Sequence, residues 1–265
     1  MASPRDSGAP FEGTTVLAVF AHPDDESLAC GGTLARLSDG GARVALMCAS
    51  RGERGALTGP AKDVELGRVR AEELRRAAEL LGVRDLVTFD HPDGELRWSE
   101  VTALLAEIVM TVKRFKPAAV ITFGEDGLYW HLDHVGVHER TTAALQLLGA
   151  DAPPLYYVTM PLGVMPAIVE HAIAGGWTAP PKGFWSLEPN AFGLCAKPPT
   201  MIVDVAAWTA RKIAAIRCHR SQTGDNGPFA RLSEEDARRW LGAEYFHRAL
   251  TCGSQEPVLE SLLCT

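Results

Sequence analysis

Short apolar segments alternate with longer amphipathic segments along most of the chain, and this alternation constrains its fold more than any other feature. The apolar segments have the length and composition of buried strands, whereas the intervening segments carry apolar residues at helical spacing. Strands that alternate with helices form βαβ units with right-handed crossovers, which build a mostly parallel sheet with helices on both faces. We therefore predict an α/β fold, with strands over residues 14–21, 42–49, 86–90, 118–123, 155–160 and 201–205 and helices over 27–37, 64–81, 99–115, 206–219 and 233–246.

The pattern fits one Rossmann-like domain rather than two. We assign residues 14–250 to this domain, with a flexible leader at residues 1–13 and a weakly patterned tail at residues 251–265. Residues 163–199 are rich in proline and lack a long period, so we expect an irregular insertion on the substrate side, followed by a C-terminal elaboration. The aromatic residues of this insertion either face a ligand or pack in the core, which is their commoner fate: Trp177, Phe184 and Trp185.

Composition excludes several classes of protein. The net charge of -7, without a basic patch, argues against binding to nucleic acid. No apolar stretch approaches the roughly 20 residues needed to span a bilayer. The cysteines show no CxxC pairing, which indicates free thiols in a reducing compartment. We therefore expect a cytoplasmic protein with a small-molecule partner, neither nucleic acid nor membrane, and we leave a homo-oligomer open.

A histidine and three acidic residues follow the first predicted strand, in the stretch Ala21-His22-Pro23-Asp24-Asp25-Glu26. Open α/β sheets bind ligands at the carboxyl ends of their strands. Imidazole and carboxylate groups together suit a borderline metal such as zinc. Helix capping by Asp24 or Asp25, with Glu26 complementing the helix dipole, explains one acidic residue but not three beside a histidine.

A second cluster, Tyr129-Trp130-His131-Leu132-Asp133-His134, follows the predicted strand 118–123. His22 and Asp25 lie three residues apart on a strand-to-helix turn and can converge on one ion. One further histidine would complete a three-ligand catalytic site with an open position. Considered alone, His131 and His134 could be surface residues at the start of a helix. Because both clusters follow buried strands at the same sheet edge, we predict a metal-dependent hydrolase.

These motifs resemble those of the LmbE/PIG-L family of zinc-dependent N-acetylglucosaminyl (amide) deacetylases. The stretch from His22 to Glu26 is similar to the family signature, and the stretch from His131 to His134 is similar to its H-P-D-H element. Two departures are Leu132, where the family usually has proline, and Trp130, where glycine is common. The resemblance runs from about Val16 to Gln222, through residues 30–35, 51–55, 70–74, 81–83, 93–96, 212–215 and 219–222.

The resemblance implies a role for each residue of the two clusters. It makes His22, Asp25 and His134 the ligands of a Zn²⁺ ion, with Fe²⁺ or Co²⁺ as alternative metals. It makes Asp24 the general base, which takes a proton from water and delivers it to the leaving amine. It also makes His131 a hydrogen-bond donor to the developing oxyanion. Other residues have weaker claims, which are given next.

Tyr129 is a second candidate for the oxyanion donor, although a tyrosine at a pocket mouth often only packs. Candidates for binding sugar hydroxyls are Arg51, Glu53, Arg70 and Asp93. Arg70 could instead pair with Glu73 on its own helix, and Asp93-Gly94 is also good turn chemistry.

Three further residues have alternative interpretations. Asp133 either orients a ligand histidine or caps the helix that contains His134. His219 either contacts the site residues from outside the metal site or is a core histidine whose hydrogen bonds are made within the fold. We expect His138 to be structural, because a fourth protein ligand would close the metal site.

We therefore expect an enzyme that hydrolyses a linear amide, removing an N-acyl group, in the first place acetyl, from an amino sugar or an N-acetylglucosamine glycoside. A related amidase acting on a thiol conjugate or a non-sugar amide is an alternative that the sequence does not separate. A non-catalytic, nucleotide-binding Rossmann-like module is the alternative from another class, suggested by Gly31-Gly32 after the first strand. However, the chain has no G-x-G-x-x-G pattern there, and the acidic residues 24–26 would repel a pyrophosphate.

Overall fold

The computed structural model describes residues 9–55, 65–98, 101–179, 188–250 and 253–264. Within these ranges a mixed sheet has the strand order β3-β2-β1-β4-β5-β7-β6. Strands β1 to β5 are parallel, and β7 runs antiparallel to both β5 and β6. The predicted α/β fold with a mostly parallel sheet is confirmed. The strands are β1 Thr15–Phe20, β2 Arg43–Cys48, β3 Asp85–Thr88, β4 Ala119–Phe123, β5 Leu155–Thr159, β6 Met201–Asp204 and β7 Ala243–Arg248.

Helices flank this sheet in two groups. Helices α1, α2 and α7 pack against one another, and α3 packs against α5. No helix in the described ranges has both the length and the apolar character to cross a membrane. The helices are α1 Asp25–Asp39, α2 Leu66–Leu81, α3 Val101–Phe115, α4 Gly127–Trp130, α5 Leu132–Leu148, α6 Val164–Ala174, α7 Thr209–Cys218, α8 Arg220–Thr223, α9 Glu234–Leu241 and α10 Val258–Leu263.

The strand order places a topological switch point between β1 and β4. The chain runs from β1 outward to β2 and β3, and then returns to the other side of β1 with β4. At such a point the connections leave in opposite directions and open a crevice at the carboxyl ends of the strands. Residues 16–20 of β1 are fully buried, so the strand that leads into His22 is rigidly held.

The C-terminal half of the predicted helix 233–246 is a strand instead. Helix α9 ends at Leu241, and β7 inserts between β5 and β6. Phe246 is fully buried and lies opposite Val158 of β5. A helical interpretation of this segment was wrong because pairing with two neighbouring strands overrides a weak local preference.

The insertion at residues 163–199 is more regular than its proline content suggests. Helix α6 buries Met165, Ile168, Val169 and Ala172, which recur at helical spacing, so a period was present. Pro166 lies in the first helical turn, where its missing N–H group is tolerated. Trp177 packs against the core, whereas Phe184 and Trp185 lie outside the described residues.

The Gly31-Gly32 pair serves close packing within the fold. A Cβ atom at Gly32 would lie 2.6 Å from Cβ of Val205, so only glycine allows this approach. The N–H groups of Gly32 and Thr33 donate to the Glu244 carboxylate at 2.8 and 2.7 Å. That buried carboxylate also accepts from Lys212 Nζ at 2.6 Å. The Glu244 carboxylate therefore binds the backbone N–H groups that a phosphate would need in a nucleotide site.

Candidate metal centre

The segments that follow β1 and β4 meet at the topological switch point, and both contain strained backbone. The non-glycine residues with positive φ in the described ranges are Asp24 at 121°, Lys116 at 45°, Leu128 at 68° and Trp130 at 63°. All except Lys116 belong to these two segments. Residues held in such conformations cost free energy and cluster at functional sites, so the strain marks this edge of the sheet.

Hydrogen bonding to two carboxylates orients the ring of His22. Its Nε2 lies 3.0 Å from Oδ2 of Asp133 and 3.0 Å from Oδ1 of Asp93. Because ionised carboxylates only accept hydrogen bonds, Nε2 carries the proton. The other ring nitrogen, Nδ1, faces Oδ2 of Asp25 at 3.6 Å. In the neutral ring this nitrogen presents a lone pair toward Asp25.

The ring of His134 is oriented by one hydrogen bond and one stacking contact. Its Nδ1 donates to the Gly127 carbonyl at 3.0 Å, and its ring stacks on Phe123 with centroids 4.0 Å apart. Its Nε2 is buried and has no hydrogen-bond partner among the described residues. That nitrogen lies 3.0 Å from Oδ1 of Asp25. When the ring is neutral, its Nε2 lone pair faces a carboxylate oxygen at this distance, and positive charge between the two atoms would relieve that contact.

Asp25 connects the two histidines. Its Oδ2 accepts the backbone N–H of His22 at 2.7 Å, which anchors the carboxylate between the rings. The converging lone pairs and the unpartnered nitrogen of His134 fit a divalent cation bound by the three residues. His131 is also close, because ring nitrogens of His22, His131 and His134 lie within 4.8 Å of one another. A second group, His22 with Asp93 and Asp133, meets the same spacing, and neither group contains Asp25, so the ligand set His22, Asp25 and His134 stays a prediction.

The charges of the site favour a cation. Burial by itself would raise the pKa of Asp93, but the hydrogen bond and charge of His22 hold it at about 2. Burial would also raise the pKa of Asp25, and the charges of His134 and His22 keep it well below its usual range. The three carboxylates around His22 raise its pKa against the effect of burial. Negative charge thus surrounds the histidine rings and stabilises positive charge among them.

Asp24 occupies the N-cap position of α1, but its side chain makes no capping hydrogen bond. The capping interpretation is therefore wrong for this residue. Its carboxylate is 21% exposed, and Oδ2 lies 3.3 Å from Nη2 of Arg70. Burial raises the pKa of Asp24 to about 6, with the charge of Arg70 acting in the opposite direction. A carboxylate with a pKa near neutrality is suited to accept and return a proton.

His131, rather than Asp133, caps helix α5. The Nδ1 atom of His131 accepts the backbone N–H of Asp133 at 3.3 Å, so the ring proton lies on Nε2. The Asp133 carboxylate instead accepts the N–H groups of Gly94 and Leu96 at 2.6 and 2.9 Å, besides contacting His22. Burial and the charges of His134 and His22 lower the pKa of His131 to about 3. His131 is therefore a neutral hydrogen-bond donor with a defined tautomer.

A cavity of about 300 Å³ opens above these groups. Sequence reasoning missed two polar residues that line it, Arg54 and Gln222, although both lie in stretches that carry the family resemblance. Tyr129 lines the cavity and also packs on Phe192, with centroids 4.5 Å apart. The described lining residues are His22, Asp24, Asp25, Leu28, Arg54, Gly55, Arg70, Asp93, Gly94, Leu128, Tyr129, His131 and Gln222.

Only two of the four candidate sugar-binding residues reach this cavity. Arg70 and Asp93 line it, whereas the described lining does not include Arg51 or Glu53. Arg51 pairs with Asp90, and Oε1 of Glu53 accepts the backbone N–H of Asp93 at 2.9 Å. Arg51 and Glu53 therefore shape the loops around the cavity.

Arg70 contacts the turn after β1 rather than a neighbour on its own helix. Its Nη2 donates to the carbonyl of Pro23 at 2.7 Å and its Nη1 to that of Gly52 at 2.8 Å. The alternative pairing with Glu73 does not form, because Glu73 accepts from the backbone and hydroxyl of Ser221. Arg70 thus connects the segment after β1 to the segment after β2.

His219 and His138 contact other groups instead. His219 is fully buried, and its Nε2 lies 2.9 Å from Oε1 of Glu26. His138 donates from Nδ1 to the carbonyl of Phe123 at 3.0 Å, which agrees with the structural role predicted for it.

Several known proteins that are similar to this chain are named deacetylases. The family described as GlcNAc-PI de-N-acetylase (PIG-L) matches residues 17–145, which include both clusters. A 1D-myo-inositol 2-acetamido-2-deoxy-alpha-D-glucopyranoside deacetylase of Acidothermus cellulolyticus is 30% identical, over 88% of this chain and 87% of the relative.

Two solved structures share the fold at lower identity. N,N'-diacetylchitobiose deacetylase from Pyrococcus horikoshii is 22% identical, with a TM-score of 0.58 over 92% of this chain and 87% of that chain. GalB, the 4-carboxy-2-hydroxymuconate hydratase of Pseudomonas putida, is 20% identical, with a TM-score of 0.63 over 92% and 99%. Because the fold carries a deacetylase and a hydratase, fold alone does not decide the reaction.

Proposed function

The chain belongs to the PIG-L family of de-N-acetylases, and we propose that it is a metal-dependent deacetylase of an N-acetylglucosamine-containing glycoside. One observation carries this proposal. Lone pairs of His22 and His134 converge on the Asp25 carboxylate, immediately beside the Asp24 carboxylate at the cavity surface. A divalent-cation site next to a partly exposed carboxylate is an arrangement that can catalyse amide hydrolysis.

His22, Asp25 and His134 would hold the metal, with zinc as the first choice and iron or cobalt as alternatives. When bound, such a metal polarises the amide carbonyl and lowers the pKa of water. Asp133 and Asp93 orient His22 because their carboxylates accept the hydrogen bond that Nε2 donates, which leaves Nδ1 available as a ligand. The Gly127 carbonyl does the same for His134.

Asp24 acts as the general base in this proposal. Its carboxylate accepts a proton from the attacking water and then delivers it to the nitrogen of the leaving amine. Arg70 contacts one oxygen of this carboxylate and the preceding carbonyl, so it limits the orientations that the base can adopt.

His131 donates a hydrogen bond from Nε2 to the oxygen that becomes negative as the amide is attacked. Its role as the cap of α5 supports this assignment, because the cap keeps the proton on the nitrogen that remains free. Tyr129 lies beside it on the cavity wall. We assign Tyr129 a supporting part as a second donor.

The cavity suits a compact polar substrate. Around the acidic centre, Arg54, Asp93 and Gln222 offer donors and acceptors for sugar hydroxyls. The first substrate to test is a 1D-myo-inositol glycoside of N-acetylglucosamine, since relatives of about 30% identity over most of the chain carry that name. An acylated thiol conjugate is the second candidate class.

The test combines metal content with amine release. Protein purified without chelator should contain about one divalent metal per chain and should release one acetate for each amine from at least one member of a panel. The panel consists of the inositol glycoside, N,N'-diacetylchitobiose, N-acetylglucosamine and an acetylated thiol conjugate. Release by the unaltered chain and not by Asp24→Asn excludes a contaminant. A metal-free protein that releases no amine and binds nucleotides would overturn the proposal in favour of a binding module.

A further inference from the structure

The backbone of Asp24 needs an external restraint to keep its conformation. Its φ of 121° lies in a region that side-chain-bearing residues rarely adopt. Its carbonyl accepts the N–H groups of Ser27 and Leu28 at 3.2 and 3.3 Å, which fixes one side of the residue to the start of α1. Its own N–H group donates to Oε2 of Glu26 at 3.1 Å. The Glu26 carboxylate therefore restrains the other side of the strained residue.

Glu26 is itself held by two buried donors. Its second oxygen, Oε1, accepts from the Ser27 hydroxyl at 2.5 Å and from Nε2 of His219 at 2.9 Å. Only 1% of Glu26 and none of His219 is exposed. The backbone of His219 is fixed in turn, because its carbonyl accepts the N–H groups of Gln222 and Thr223 at 3.0 and 2.9 Å. A chain of hydrogen bonds thus connects His219, at the end of α7, to Asp24 through Glu26.

Neither Glu26 nor His219 belongs to the described lining of the cavity. A buried carboxylate without partners would be strongly destabilising, so a histidine opposite Glu26 is expected in any stable fold. That need does not explain why Oε2 of Glu26 accepts the N–H of Asp24, the residue whose carboxylate must be oriented. We propose that Glu26, locked by His219, is a positioning residue that keeps Asp24 in its strained conformation and so aims the general base.

The fold contains a matched control for this proposal. Glu244 is also a buried carboxylate that accepts backbone N–H groups of α1 and pairs with a cation of α7, in its case Lys212. Its contacts lie at Gly32 and Thr33, which are further along α1 than Asp24. Substitution of either glutamate removes a comparable buried interaction. Only the substitution of Glu26 should disturb the base.

The experiment compares Glu26→Gln with Glu244→Gln, on metal-loaded protein and per folded chain. A glutamine keeps one acceptor oxygen and cannot serve both sides, and because two donors face the Oε1 position, we expect its oxygen there and its NH₂ group facing the N–H of Asp24. We expect Glu26→Gln to lower kcat by roughly 10²-fold, the loss typical of a small misplacement, with KM nearly unchanged and the metal retained. We expect Glu244→Gln to lower stability as much while kcat stays within about twofold.

Two further variants keep the test decisive if Glu26→Gln does not fold. His219→Gln retains a side-chain N–H that can donate to Glu26, whereas His219→Ala does not. We expect a substantial loss of kcat in His219→Ala and a partial recovery in His219→Gln. Equal kcat values for these two variants, or for Glu26→Gln and Glu244→Gln, would reduce Glu26 to a structural residue. Loss of the metal together with activity in Glu26→Gln would equally contradict the proposal.

The inference rests on the proposed function only for its kinetic readout. Hydrogen exchange at the Asp24 amide tests the restraint without any substrate. Exchange there should become about tenfold faster or more in Glu26→Gln, because a charge-assisted hydrogen bond is lost, and should be unchanged in Glu244→Gln. If the unaltered chain deacetylates no sugar but shows this difference, the proposed function fails and the restraint stands. If the amide exchanges equally in both variants, the restraint itself is disproved.

Discussion

The buried Nε2 atom of His134 lies 3.0 Å from Oδ1 of Asp25. In the neutral ring the only N–H group is at Nδ1, which donates to the Gly127 carbonyl. Two electron-rich atoms at this distance require a positive charge nearby, which a divalent metal between them would supply. The relationship turns a sequence motif into a specific expectation about metal content.

His134→Ala and His131→Ala should differ in bound metal although the two residues are three positions apart. His134→Ala removes one of three proposed ligands and should abolish stoichiometric metal. His131→Ala should keep the metal and lose about 2.7–4 kcal/mol of transition-state stabilisation, the usual effect of removing one oxyanion donor. Metal analysis of both proteins after gel filtration checks the assignment, with Asp25→Ala as the companion variant. A His131→Ala protein without metal, beside an Asp25→Ala protein that retains it, would favour the three-histidine set.

Asp24→Asn should fold normally, retain the metal and lose most of its activity. The amide cannot accept a proton from water, and loss of a general base commonly lowers the rate by about 10²–10⁴-fold. The measurement is kcat for acetate release, accompanied by metal content and thermal stability. Turnover within tenfold of the unaltered protein would remove Asp24 from the mechanism.

Arg70→Lys should lower kcat more than it raises KM. Lysine retains the charge but cannot contact the carbonyls of Pro23 and Gly52 and the carboxylate of Asp24 together, because it lacks the forked guanidinium. Loss of charge-assisted hydrogen bonds of about 1.5–3 kcal/mol corresponds to roughly a 10–100-fold lower rate. Arg75→Lys, on the exposed surface of the same helix, is the control. A rise in KM alone would mean that Arg70 binds substrate rather than orienting the base.

Gly32→Ala should destabilise the protein by about 1–3 kcal/mol, the usual effect of overpacking a core. The new Cβ would meet Cβ and Cγ2 of Val205 at 2.6 and 2.7 Å, and this neighbour is buried and β-branched. Gly31→Ala is the matched control, since its nearest contact would be an ordinary 3.4 Å to Leu81. Urea denaturation of the two variants measures the difference. Equal midpoints would show that Val205 can move aside.

Much of the fold could be predicted because its strands are buried on both faces. A strand such as β1 must then be continuously apolar, and its sequence is recognisable without any knowledge of its partners. Strand β7 was missed for the opposite reason. It alternates between buried and half-buried residues and pairs antiparallel with two strands distant in sequence, so its conformation depends on contacts that are not local.

The candidate site divides in the same way. His22, Asp24, Asp25, His131 and His134 could be named from residue types and spacing, because a turn after each strand brings them to one sheet edge. Arg70 was interpreted as a sugar ligand because nothing local indicates that it reaches Pro23 and Asp24, which lie more than one element away. Arg54 and Gln222 carried no chemical signal of their own.

By itself, the sequence determined which chemical groups arrive at the carboxyl edge of the sheet and in what order. Hydrophobic patterning and short turns are local properties, and they are sufficient for that result. Only the tertiary structure decided which nitrogen of each histidine is free and how the Asp24 carboxylate is oriented. The tautomer of His22 depends on Asp93 and Asp133. The backbone N–H of Asp24 donates to Glu26, which is hydrogen-bonded in turn to His219. These are hydrogen bonds between residues far apart in the chain, which exist only after the sheet and its helices have packed.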